Sequence, residues 1–288
     1  MKSIEVISPG MHTSFQDLGR ADYAHLGCPV AGIMDEYHAK LANTLVQNSV
    51  KEAVLEISLK GPELKFLHSA LICVTGLGAE VFVNGQQKKI NFAFVVKGGD
   101  VLEISRITQG NRVYFAVHGG FNVVHTLGSA SHFHPLTKHL KLQKNQEIQL
   151  NKVSLEFNKL HLNAHVSVEN QHYFLSEIEV EKGPEFKQYA KQLLPQLKTG
   201  EFQVSKKSNR MGIELLPALK LTSHSILTNV IQPGCVQLTP SGKLIVLMKD
   251  AQVSGGYPRV LVFPQRSMDV LSQKRVGEKL YLCFKQET

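Results

Sequence analysis

The feature that most constrains this chain is a rhythm of short runs of β-branched and aromatic residues, cut at intervals by Gly, Pro, Asn and Asp. Such runs form strands, because these side chains fit a pleated, half-buried surface while the intervening residues supply turn geometry. In the first half the clearest runs are 3–7, 71–75, 80–83, 94–96, 101–104 and 113–117. After Leu175 the pattern returns at 177–180, 202–204, 236–238, 244–248, 260–263 and 279–284. Regular βα alternation is absent, so the expected fold is mainly β, a sandwich or barrel.

Local punctuation refines this. Asn84-Gly85 follows 80–83 and predicts a hairpin, since a type I′ turn needs positive φ at both central positions. Gly98-Gly99-Asp100 repeats the signal before the next run. Helical spacing is confined to two places. Residues 34–45 carry apolar side chains at Leu41, Ala42 and Leu45, with Asp35 placed to cap. Residues 184–194 put Phe186, Tyr189, Ala190, Leu193 and Leu194 on one face, with Pro184 suited to the first turn and Pro195 expected to end the run. Both helices are expected to cover a sheet. Weak alternation and many breakers between 126 and 175 predict a linker or mobile segment, separating an N-terminal β half (1–125) from a C-terminal one (176–288).

Several function classes are disfavoured. The 288 residues are 43% hydrophobic and 19% charged, the balance of a folded protein. No apolar stretch approaches the roughly 20 residues of a membrane-spanning helix, and the N-terminus lacks a signal-peptide h-region. A cytoplasmic protein without membrane association is expected. Cys28, Cys73, Cys235 and Cys283 form no CxxC pair, which argues against a zinc knuckle or disulfide scaffold. The net charge of +8 is dispersed, and its loose basic groups lack interleaved aromatics, so nucleic acid is not an expected partner. There is no Walker loop, no GxGxxG after a strand, no GxSxG elbow and no HExxH.

The most informative stretch for chemistry is Met248-Lys249-Asp250-Ala251-Gln252-Val253-Ser254-Gly255-Gly256-Tyr257-Pro258. Paired glycines let backbone N–H groups approach a ligand, and Asp250 and Gln252 are expected to project from one strand face. The plainer alternative is a tight turn with Asp250 paired to a nearby arginine. Ser208-Asn209-Arg210-Met211-Gly212 is a second polar turn, whose Arg210 can clamp an anion through its planar fork or simply face solvent. Phe15-Gln16-Asp17-Leu18-Gly19-Arg20 is a third, with Arg20 as anion ligand and Asp17 as its local partner. His132, His134 and His139 hint at a metal, but no carboxylate or cysteine stands at ligand spacing, so no metal site is expected. Met248-Lys249 superficially matches a biotin-carrier hairpin, yet Asp250 stands where that motif has methionine.

Taken in order, these motifs resemble one family, that of the C component of bacterial 5-oxoprolinase, also called KipA or allophanate hydrolase subunit 2. The resemblance runs from Pro9-Gly10-Met11 and Gln16–Arg20 through Leu26-Gly27-Cys28-Pro29, Gly32-Ile33-Met34-Asp35, Ala42–Val46 and Gly61-Pro62-Glu63-Leu64. It continues at Gly119-Gly120 and Leu127-Gly128-Ser129, and is strongest at Ser208–Gly212, Pro233-Gly234-Cys235-Val236-Gln237 and Asp250–Pro258. It implies a cyclophilin-like β-barrel architecture with a few covering helices. It also implies partnership with a KipI-like B component and an A component in ATP-dependent opening of 5-oxoproline to glutamate. In that setting Asp250, Arg210 and Gln252 are the candidate catalytic residues. Gly255, Gly256, Tyr257, Gln237, Arg20 and Asn209 are candidates for substrate binding. Many relatives carry arginines where Ala130 and Ala251 stand. Two alternatives accompany this reading: a biotin-dependent carboxyltransferase acting on urea or another amide, and a non-catalytic regulator that binds a protein partner.

Overall fold

A computed structural model describes residues 3–137, 140–152 and 170–284. Its contacts group into two units, one made of residues 1–19 and 35–170, the other of residues 20–34 and 171–288. The early stretch Arg20–Met34 therefore belongs with the C-terminal half of the chain.

The first unit holds β1 (Ser3–Ser8), β2 (His12–Gln16), β3 (Val54–Ser58), β4 (Glu63–Phe66), β5 (Ala70–Val83), β6 (Gln86–Lys88), β7 (Ala93–Val96), β8 (Val101–Val117) and β9 (Glu147–Gln149). They form one sheet ordered β2-β3-β8-β4-β1-β9, with β5 pairing β6, β7 and β8. The sequence pattern predicts two short strands in each of the places taken by β5 and β8. Both are continuous, because register shifts between Gly76 and Val81 bulge the ladder without ending it. The Asn84-Gly85 turn forms as expected, with φ of 49° and 78°, joining Val83 to Gln86. Helix α1 (Glu36–Leu45) begins where Asp35 accepts the His38 N–H at 3.2 Å. The sheet buries Ile4, Phe15, Leu55, Ile57, Phe66, Ile72, Val74, Ile104 and Phe115 in one cluster, each aliphatic contributing about 1.5–3 kcal/mol of burial.

The second unit holds β10 (Glu177–Lys182), β11 (Phe202–Val204), β12 (Gly212–Leu216), β14 (Cys235–Leu238), β15 (Leu244–Leu247), β17 (Arg259–Val262) and β18 (Lys279–Phe284). They form a closed barrel in the order β10-β17-β14-β15-β12-β11-β18. Closure comes from β18, which runs parallel to β10 and antiparallel to β11. A separate two-stranded ribbon pairs β13 (Asn229–Val230) with β16 (Ser254–Gly255).

Alongside the barrel lie α2 (Gln171–Phe174), α3 (Phe186–Thr199) and α4 (Gln265–Gln273). Pro195 does not end α3 as the sequence pattern predicts; it lies inside the helix. Leu193 and Leu197, one turn apart, are both buried, and their anchoring outweighs the hydrogen bond that proline removes. Helix α4 is unannounced by periodicity because it buries Ser267, Asp269, Ser272 and Gln273 beside Met268, Val270 and Leu271. Among the described residues no helix is long and apolar enough to cross a membrane.

Candidate functional site

Backbone pairing between β12 and β15 extends past their ends and assembles the principal site. The Met248 N–H donates to the Met211 carbonyl at 3.0 Å and the Asp250 N–H to the Arg210 carbonyl at 2.9 Å. Residues forty positions apart in sequence thus become neighbours. Arg210 Nε and Nη2 each donate to one Asp250 carboxylate oxygen at 2.9 Å, the two-pronged geometry in which guanidinium and carboxylate match best. Nη2 also donates to the Gly32 carbonyl at 2.6 Å. Both side chains retain 13% exposure, so the pair is fixed in orientation yet open to solvent at its rim.

The strand-face expectation for Asp250 and Gln252 needs correction. Strand β15 stops at Leu247, and Asp250 sits in a turn closed by the Ala251 N–H donating to the Met248 carbonyl at 3.0 Å. That turn sends Ala251 inward, where it is 3% exposed and packs with Ile231, Cys235 and Leu247. Gln252 is left exposed. Where the resemblance implies arginine, position 251 is part of an apolar cluster.

Gln237 lies beside this cluster. It pairs in register with Ile245, is 3% exposed, and its Nε2 is buried without a hydrogen-bond acceptor. Gly255 lies against that amide so closely that a Cβ there would overlap Nε2 and press on Ile231. The Gly256 carbonyl accepts the Ile226 N–H at 2.8 Å, and Tyr257 is 38% exposed. Asn209 is occupied with its own turn, its Oδ1 accepting the Met211 N–H at 2.7 Å and the Gly212 N–H at 3.3 Å. Arg20 is buried, with its backbone N–H donating to the Val30 carbonyl at 2.8 Å.

Two contributors escape sequence reasoning. The Ala31 N–H donates to the Lys249 carbonyl at 2.8 Å and Gly32 supplies its carbonyl to Arg210, so the early stretch 20–34 helps to set the ion pair. The signals for this stretch in the sequence are Arg20 and the motifs Leu26-Gly27-Cys28-Pro29 and Gly32-Ile33-Met34-Asp35. Lys249 is buried at 7% exposure, and its Nζ donates to Gln265 Oε1 at 3.2 Å.

In the first unit Asp17 takes partners other than the expected Arg20. Its carboxylate accepts from Ser129 Oγ at 2.5 Å, Ser131 Oγ at 2.6 Å, the Ala130 N–H at 2.6 Å and the Gly19 N–H at 2.9 Å. Burial pushes its pKa up, but these hydrogen bonds together outweigh it and hold the carboxyl below its ordinary value. Nearby, His132 Nδ1 contacts the Thr137 carbonyl at 3.0 Å and His134 is exposed. His139 lies outside the described residues.

Comparison with known proteins places these features in a lineage. Residues 26–284 match the family model "Carboxyltransferase domain, subdomain A and B". The chain is 28% identical over 285 residues to the 5-oxoprolinase C component of Escherichia coli, covering 96% of this chain and 90% of that protein. It is 39% identical over 132 residues to urea amidolyase of Saccharomyces cerevisiae, covering 46% of this chain and 7% of that one. The crystal structure of TTHA0988 superposes with a TM-score of 0.87 at 28% identity over 98% of this chain. This chain spans 55% of that solved chain.

Proposed function

Because the chain belongs to the carboxyltransferase-domain family, we propose that it is the C component of an ATP-dependent 5-oxoprolinase, opening the lactam of 5-oxoproline to glutamate together with the A and B components. Likeness to a 5-oxoprolinase C component along 90% of that protein's length supports this reading. The carrying observation is the oriented Arg210–Asp250 pair at a partly open edge of the barrel.

A lactam resists water because its nitrogen lone pair is delocalised into the carbonyl. Ring opening demands that negative charge be stabilised on the oxygen while water reaches the carbon. Arg210 supplies fixed donors for that charge. Asp250 holds the guanidinium in place and orients or deprotonates the attacking water. The backbone amides of Gly255 and Gly256, with Gln237 and Tyr257, form the binding side, while Gln252, Asn209 and Arg20 have supporting roles.

ATP provides the drive in such a complex and is assigned to the complex as a whole. Biotin enters only under the carboxyltransferase alternative, which the likeness to urea amidolyase favours.

The test is co-expression of the chain with its genomic neighbours in the cytoplasm, followed by assay of glutamate release from 5-oxoproline. Turnover requiring ATP and every component is expected. Biotin-dependent carboxylation of urea without glutamate release would replace this reading by the alternative. A stoichiometric complex inactive in both assays would point to a regulator.

A further inference from the structure

A buried amide N–H without an acceptor is an unstable arrangement unless some other state or ligand satisfies it. Gln237 presents that arrangement in the second unit. Its Nε2 is shielded from solvent and unpartnered, and the close approach of Gly255 leaves no room for a water on that side. What shields it is thin. The β13–β16 ribbon is two residue pairs long, Asn229 with Gly255 and Val230 with Ser254.

The ribbon's own bonds keep it together. The Ile226 N–H donates to the Gly256 carbonyl at 2.8 Å and the Ile231 N–H to the Val253 carbonyl at 3.0 Å, flanking the two pairs. Its outer residues gain little from their position, with Leu227 93% and Val230 69% exposed. Holding it down are Ile231, buried with Cys235, Leu247 and Ala251, and Arg259 Nη1, which donates to the Val230 carbonyl at 2.9 Å. Arg259 is itself clamped by Glu185, through Nε at 3.0 Å and Nη2 at 2.8 Å, so this tether suits a hinge. Glycine at 255 suits the closed position, since a Cβ there would overlap Gln237 Nε2 unless that amide shifted.

We infer that the β13–β16 ribbon is a movable cover over Gln237, and that the uncovered amide nitrogen takes the carbonyl oxygen of an amide-type ligand. The ligand class follows from the group left unsatisfied: a donor requires an acceptor oxygen, as offered by a lactam, a urea or a carboxamide. The inference deepens the proposed function by naming the residue that reads the carbonyl, and in that respect rests on it. The movement of the cover does not depend on which substrate is used.

Hydrogen–deuterium exchange on the full chain tests the cover without ligand. Amides at 226–231 and 253–256 should exchange at least about tenfold faster than those of β14 and β15. Gln237→Leu, which removes the unsatisfied donor at similar volume, should slow ribbon exchange several-fold and raise Tm. Ribbon exchange as slow as that of the barrel strands would overturn the inference. So would a Gln237→Leu variant whose ribbon opens faster, because the amide would then have a partner in the closed state.

The ligand arm uses the complex with its co-expressed partners and two probes, 5-oxoproline and urea. Altered ribbon exchange with either probe, lost in Gln237→Leu, supports the inference. A response to urea alone would uphold it while removing the oxoproline reading. No response to either probe would overturn Gln237 as the carbonyl-reading residue.

Discussion

Two aspartates, one in each unit, show how differently this protein treats a carboxylate. Asp17 is enclosed by four neutral donors from Ser129, Ala130, Ser131 and Gly19. Asp250 is met by one cation, Arg210, at an edge that keeps 13% of both side chains exposed. The first arrangement fixes the 129–131 segment to the end of β2 and leaves no reason for the carboxylate to act on anything else. The second holds a reactive pair in place where a ligand can arrive. A polar group satisfied from within builds the fold, while one balanced by a single oriented partner at an open rim is available for chemistry.

The comparison breaks most visibly if the two sites respond alike to loss of charge. Asp250→Asn or Arg210→Ala should lower glutamate formation by the assembled complex at least about a hundredfold, with assembly retained on size-exclusion chromatography. Full activity in both variants would remove the pair from the reaction. Asp17→Asn should act on stability instead. It replaces an ionised acceptor of four bonds by a neutral amide and should cost about 2 kcal/mol in urea unfolding, while activity per folded molecule stays within about twofold.

Acid sharpens the contrast. The folded pKa of Asp17 lies below its free value of 3.8. A depressed carboxyl contributes its stability fully above the free value and loses it as pH falls through the folded one. Stability should therefore decline on acidification below about pH 4, and the part of that decline due to Asp17 should vanish in Asp17→Asn. The smallest expected effect belongs to Ser129→Ala, which deletes one donor of the four and should cost about 1 kcal/mol. A loss as large as that of Asp17→Asn would mean that the donors act as one unit rather than separately.

Much of the architecture was legible in residue order. Asn84-Gly85 announced its hairpin because few residues adopt two successive positive φ values without strain, and Asp35 announced α1 because the unpaired N–H groups of a helix start need a side-chain acceptor. These signals are local, so the chain carries them in its own order. The site was legible only as motifs. Arg210 and Asp250 were both visible as polar turns, but their pairing depends on the β12–β15 ladder, and the Gly32 carbonyl arrives from a part of the chain 178 residues away. Pro195 within α3 and the polar-rich α4 show the same limit, since burial of Leu197 or of Asp269 and Ser272 is settled by what packs against them.

By itself, then, the sequence determined a mainly β chain, its turns, its first helix and the set of polar turns from which a site can be drawn. The three-dimensional arrangement decided that Asp17 belongs to Ser129 and Ser131 rather than to Arg20, that residues 20–34 join the C-terminal unit, and that Gln237 lies unsatisfied beneath Gly255. The physical reason is range. Backbone preference and turn chemistry act over a few residues, whereas ion pairs and buried hydrogen bonds join groups that only a closed barrel and a folded sheet bring within about 3 Å of one another.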